Sequence, residues 1–180
     1  MQCRGGRLRG WVYDLMQCMV LALTVCVLLF SFALRFVEVE GSSMYPTLHD
    51  GDLLLVCGAA SEPRQGDIVV FRDDGFRPEP LVKRVIAVGG QTVDIDFGSG
   101  VVYVDGVPLD EPYTAEPTLR ELDFSGPLTV PEGELFVLGD NRNASNDSRD
   151  ARLGCVDARG VLGRVCLRIL PFDRLGSLDD

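Results

Sequence analysis

Three stretches of this sequence hold residue types that could do chemistry together. The first is Gly41-Ser42-Ser43-Met44-Tyr45-Pro46-Thr47-Leu48, where a serine pair lies between a glycine and a proline. Gly41 permits backbone angles closed to other residues, and Pro46 fixes a bend just after Ser43. The second is Lys83, the single lysine in a chain with sixteen arginines. Arginine cannot act as a base near neutrality, whereas a desolvated lysine amine can. At its ordinary pKa of ~10.4, a lysine is neutral in about one molecule in a few thousand at pH 7. Burial in the apolar run around Lys83 would remove most of that deficit, and a neutral amine could take the proton of a serine hydroxyl. The third stretch, residues 139–149, reads Gly-Asp-Asn-Arg-Asn-Ala-Ser-Asn-Asp-Ser-Arg. Its acids and arginines can pair locally into a rigid brace, one that could set Ser145 beside the Lys83 amine and hold it by a hydrogen bond.

Each stretch alone has a plainer explanation. A serine pair in a Gly/Pro loop is usually a turn, and a lone lysine usually snorkels or meets a carboxylate. His49 is the other candidate base and the chain's only histidine. It lies six residues after Ser43, beside the Asp50-Gly51 turn, with no evident orienting partner.

These residues need elements to position them. Leu15 to Leu34 contains no charged residue, and at ~1.5 Å per helical residue its 20 positions span ~30 Å, the hydrocarbon thickness of a bilayer. Arg4, Arg7 and Arg9 precede the run, with Trp11 and Tyr13 at its edge. Basic residues before it predict an N-terminus inside and the remainder outside. The organisation expected is a cytoplasmic tail (1–14), a single transmembrane anchor (15–35) and an extracytoplasmic domain (36–180). Ser31-Phe32-Ala33 offers a small-x-small site for a cleavable signal peptide, but it lies inside the apolar run, which is longer than a signal peptide needs. An uncleaved anchor is the expectation.

Composition removes other classes. Twenty-six of the 27 acidic residues but only 13 of the 17 basic ones follow Arg35, which leaves that part near −13. That charge argues against nucleic acid as a partner and against a polybasic lipid-binding patch. Cys57, Cys155 and Cys166 lie beyond the apolar run, so at most one disulfide forms there. With no Cys-x-x-Cys and one histidine, no metal site is expected.

Beyond the anchor the pattern is β. Phe36–Glu40 alternates with period two, and buried strands are expected at 52–56, 67–72 and 81–88. Residues 73–80 read as a polar loop, 92–97 and 101–104 as a hairpin, and 108–127 as a surface excursion. Strands at 134–138 and 163–170 complete a mainly β, mostly antiparallel domain.

Read in order, these motifs resemble those of bacterial type I signal peptidases. The likeness rests on Ser42-Ser43-Met44-Tyr45-Pro46-Thr47-Leu48, Gly66-Asp67-Ile68-Val69-Val70-Phe71, Lys83-Arg84-Val85, the Gly139–Arg149 run and Gly160–Val165. The resemblance implies a coiled, barrel-like antiparallel β-domain behind a transmembrane helix. It implies a membrane-bound serine endopeptidase that removes signal peptides after small-x-small (Ala-x-Ala) sites. Ser43 would be the nucleophile and Lys83 the general base, and the implied reaction needs no metal or cofactor. Ser145 would orient the lysine, with Asp147 and Arg149 as a supporting ion pair and Asp140 and Arg142 nearby. The Ser43 backbone N–H would hold the oxyanion. Some family members add a serine hydroxyl two positions before the nucleophile, where this chain has Gly41. The signal peptide would add as a strand between Val37–Gly41 and Leu81–Lys83, with Met44, Leu48, Leu81 and Val82 lining its pockets. Implied partners are the signal peptides of secreted preproteins, the lipid bilayer and the secretion translocon. Two rivals remain: a self-cleaving repressor of related Ser-Lys fold, and a membrane-anchored module that binds peptides without cutting them.

Overall fold

Residues 15–32 of the apolar run lie in one helix, α1 (Gly5–Phe32), and Leu34 already belongs to a strand. The computed structural model describes residues 5–32, 34–58, 62–73 and 75–178, with the backbone alone at 5–9 and 28–32. Arg4 lies outside these. The helix begins ten residues ahead of Leu15, because Gly5 to Asp14 contains no proline and hydrogen bonding along a helix does not stop where the apolar run does. Its residues 10–27 are exposed on every side. Among the described residues it is the one helix long and apolar enough to cross a membrane.

The chain divides into two compact units, Met1–Arg35 and Phe36–Asp180. The strands are β1 (Leu34–Glu38), which begins two residues before the second unit, β2 (Leu53–Gly58), β3 (Ile68–Asp73), β4 (Arg77–Val88), β5 (Thr92–Asp96) and β6 (Val101–Val104). There follow β7 (Val107–Pro108), β8 (Leu128–Thr129), β9 (Glu134–Leu138), β10 (Val156–Asp157) and β11 (Val161–Leu170). They form a seven-stranded sheet in the order β1-β2-β11-β3-β4-β9-β10 and a four-stranded one in the order β7-β6-β5-β8. The ladders described among β2 to β11 are antiparallel. The domain is mainly β, as the alternation predicts.

β3 shows why apolar runs rather than alternation mark the central strands. Val69 and Phe71 enter one apolar cluster with Leu81, Val85 and Val137, while Ile68 and Val70 enter another with Val39, Met44, Leu48 and Leu54. Both faces are buried, so every residue from Ile68 to Phe71 is apolar.

β4 departs from the expected pattern. Residues 77–80, read as loop, are strand, and Arg77 pairs with Asp73 of β3. On its other side β4 meets β9 only from Arg84, opposite Leu138, to Val88. Residues 77–83 therefore keep one open edge. Pro78 and Pro80 have no N–H to give a ladder, so they are tolerated at such an edge. Their punctuation makes a strand look like a loop in sequence.

The Cys57–Cys166 disulfide joins β2 to β11, with Cα atoms 6.0 Å apart. Cys155 keeps a free thiol, and burial pushes its pKa up to about 11.

Candidate active site

The Ser43 loop is pinned at both ends. Gly41 adopts φ +84°, which favours glycine, and donates its N–H to Asp50 Oδ1 at 2.6 Å. Inside the loop Leu48 N–H bonds Met44 O at 2.9 Å, and both side chains enter the core. Thr47 Oγ1 donates to Asp140 Oδ2 at 2.5 Å. Asn141 holds the serines themselves, its N–H on Ser43 O and its Nδ2 on Ser42 O, both at 3.0 Å.

Lys83 lies on one face of β4 between Leu81 and Val85, two members of an apolar cluster. It is 2% exposed, and its Nζ lies 2.7 Å from Ser43 Oγ. Its pKa is lowered from 10.5 to about 8. Burial is the dominant cause; the Asp147 carboxylate opposes it, Arg77 adds to it, and Asp140 opposes it. At that pKa about one amine in ten is neutral at pH 7, several hundred times the ordinary share.

The polar run does form a brace, but its pairs reach further than expected. Arg149 and Asp147 pair through bonds of 2.8 and 2.9 Å, both fully buried. Asp147 Oδ2 also accepts the Gly139 N–H at 3.1 Å. Asp140 turns instead to Arg84, which donates to both its oxygens at 2.9 and 2.8 Å. Arg142 turns to Glu111, at 2.9 and 2.5 Å, and to Thr118 Oγ1 at 2.9 Å. Tyr113 lies 3.9 Å beneath the Arg84 guanidinium, and burial raises its hydroxyl pKa. The surface excursion is thus built into the site. Sequence reasoning missed Arg84 and Glu111; an arginine inside an apolar strand was the available signal, since a buried guanidinium requires an acid.

Ser145 is fully buried, and its Oγ has no hydrogen-bond partner among the described residues. The expected bond to Lys83 is not made in this structure. The amine is turned to Ser43, and Ser145 packs over Gly139, where a Cβ would meet both its hydroxyl and the Ser43 carbonyl oxygen.

An open cleft of about 720 Å³ lies over Ser43 and Lys83. One wall is 37–44; the other is the open edge of β4, and Arg120, Ala144, Asn146 and Arg152 also line it. Met44, Leu81 and Val82 are among the residues lining the cleft, although Met44 is only 1% exposed. Leu48 is not among them. It is 0% exposed and packs with Val39, Leu54 and Val70, because the loop's turn at Met44–Leu48 directs it inward. His49 is not among the lining residues either; its Nδ1 accepts from Arg174 at 2.5 Å and its ring meets Tyr45 edge-on.

A serine hydroxyl set against a desolvated amine, beneath an open cleft on an antiparallel β-body, is an arrangement that Ser-Lys hydrolases use. Comparison with known proteins narrows the class. A family model described as "Signal peptidase, peptidase S26" matches residues 12–170. The signal peptidase I of Bacillus licheniformis is 37% identical over 180 residues, covering 93% of this chain and 94% of that one. A probable signal peptidase I-1 of Synechocystis sp. is 36% identical over 170 residues, covering 89% and 83%. The crystal structure of a signal peptidase I from Enterococcus faecalis V583 is 34% identical, with a TM-score of 0.50, and covers 58% of this chain and 97% of that one. The chain belongs to the signal peptidase family, peptidase S26.

Proposed function

We propose that this protein is a membrane-bound endopeptidase that removes signal peptides from exported preproteins after small-x-small sites, using Ser43 and Lys83. The observation that carries the reading is the 2.7 Å separation of Lys83 Nζ from Ser43 Oγ, with the amine buried among apolar side chains. Neutral Lys83 accepts the Ser43 proton as Oγ attacks the carbonyl carbon of the scissile bond. The Ser43 N–H, which makes no hydrogen bond among the described residues, faces the charge that develops on the carbonyl oxygen. Lys83 then gives its proton to the leaving amine as the C–N bond breaks. Water, deprotonated by the same amine, attacks the acyl ester and frees Ser43.

The substrate adds as a strand between Val37–Gly41 and the open edge of β4, where backbone donors and acceptors stand unpaired by β9. Met44, Leu81 and Val82 contact its small side chains. Asp147, Arg149, Asp140 and Arg142 hold the loop that frames the dyad, and Ser145 turns to the lysine during the reaction. The helix α1 anchors the protein in the bilayer as a single pass, with the basic N-terminus cytoplasmic, the acidic domain extracytoplasmic, and the secretion translocon as neighbour.

The test is cleavage of an Ala-x-Ala preprotein in detergent by wild type, Ser43→Ala and Lys83→Arg. Wild type should cut after the second alanine, and both variants should be inactive, since arginine keeps the charge but cannot be the base. Near-normal cutting by Lys83→Arg would exclude lysine as the base.

A further inference from the structure

Arg120 stands out on the cleft wall. Three arginines line the cleft, and two of them are occupied: Arg77 lies 4.0 Å from Glu79, and Arg152 pairs with Asp150 at 2.6 Å. The Arg120 guanidinium has no hydrogen bond or ion pair among the described residues. Its charge reaches Asp150, whose oxygens are already taken by Arg152.

Its backbone, by contrast, is held firmly. Asn143 Oδ1 accepts the N–H groups of Leu119 at 3.0 Å and Arg120 at 3.1 Å, and Asn143 Nδ2 donates to Pro117 O at 3.1 Å. The Arg120 carbonyl accepts from fully buried Arg149 at 2.7 Å. The brace that frames Ser43 and Lys83 thus also fixes the base of an unengaged cation on the cleft that Ala144 and Asn146 also line. In a domain near −13, an arginine left without an acid at the site is one that a ligand can engage.

We propose that Arg120 is a specificity residue, favouring an acidic side chain in the peptide segment around the scissile bond; this rests on the peptidase reading above. An exposed pair of this kind is worth about two- to five-fold in kcat/KM at low salt. The test is a set of Ala-x-Ala peptides in which one variable position at a time carries Glu or Lys. The full-length protein in detergent is assayed as wild type, Arg120→Gln and Arg120→Glu. The Glu:Lys ratio of kcat/KM is read within each enzyme, so a general loss of activity cancels. Wild type should prefer Glu at one position, about three-fold, with the preference fading toward 1 M salt. Arg120→Gln should abolish that preference and Arg120→Glu invert it. Equal ratios in all three enzymes at every position would overturn the proposal. A wild type that cuts no peptide overturns the peptidase reading itself, and the proposal with it.

Discussion

Arg84 and Asp140 are 56 residues apart in sequence and joined by two hydrogen bonds, of 2.9 and 2.8 Å, with the carboxylate fully buried. Asp140 also accepts from Thr47 on the Ser43 loop. One carboxylate thus ties the strand that bears Lys83 to the loop that bears Ser43. Among the described residues Asp140 makes no hydrogen bond to Ser43 or Lys83 themselves.

Replacing Asp140 with alanine leaves the Arg84 guanidinium without its acid. Breaking a buried pair this way costs about 3–5 kcal/mol. Chemical denaturation should show a loss of that size, with activity at least ten-fold lower at temperatures where the variant is still folded. A stability loss with unchanged kcat would show that Asp140 serves the fold alone.

Gly139→Ala puts a methyl group against the Ser145 hydroxyl and the Ser43 carbonyl oxygen. Overpacking of this kind costs about 1–3 kcal/mol. Because one of the displaced groups belongs to Ser43, kcat should fall more steeply than stability, with KM changing less. Thermal melts alongside initial rates separate the two.

Ser145→Ala removes a buried hydroxyl that has no partner in this structure. Loss of such a group is neutral or stabilising, by up to about 1 kcal/mol. The melting temperature should hold or rise while kcat falls, if the hydroxyl turns to Lys83 during the reaction. A marked drop in melting temperature would show that the hydroxyl has a structural bond in solution.

The depressed pKa of Lys83 sets the pH profile. The reactive form is neutral, so kcat/KM should climb with pH and level off above an inflection near 8. Stability follows the same group. Below pH 8 both folded and unfolded chains carry the proton, and the cost of burying the charge, about 3 kcal/mol, is fully present. Between pH 8 and 10.5 the unfolded chain binds more proton than the folded one, so the Lys83 contribution rises with pH. Lys83→Met should remove that rise; an unchanged slope would assign it to other groups.

The Cys57–Cys166 bond closes a separation of 109 residues. Cross-linking a loop of that length restricts the unfolded chain, and its removal costs about 2–5 kcal/mol. Reduction, or the paired change Cys57→Ala with Cys166→Ala, should lower the unfolding free energy by that amount and the denaturation midpoint with it. An unchanged midpoint after reduction would show that the bond is not formed in solution.

What is local was legible in the residues alone. The uncharged run from Leu15 supplied most of α1, and period-two alternation and short apolar runs made most strands, because helix and strand periods are properties of neighbouring residues. The lone lysine and the serine loop stood out by residue type alone. Tertiary structure decided what depends on which strands lie side by side. Asp140 found Arg84 and Arg142 found Glu111, both beyond the local loop, because a charge pairs with whatever the fold brings near. Leu48 looked like a pocket residue and became core, since one turn of the Ser43 loop aims it inward. Residues 77–80 looked like loop and became the open edge of β4, because proline forbids only ladders that need its N–H. The depressed pKa of Lys83 belongs to the fold as well, for desolvation is set by everything packed around the amine.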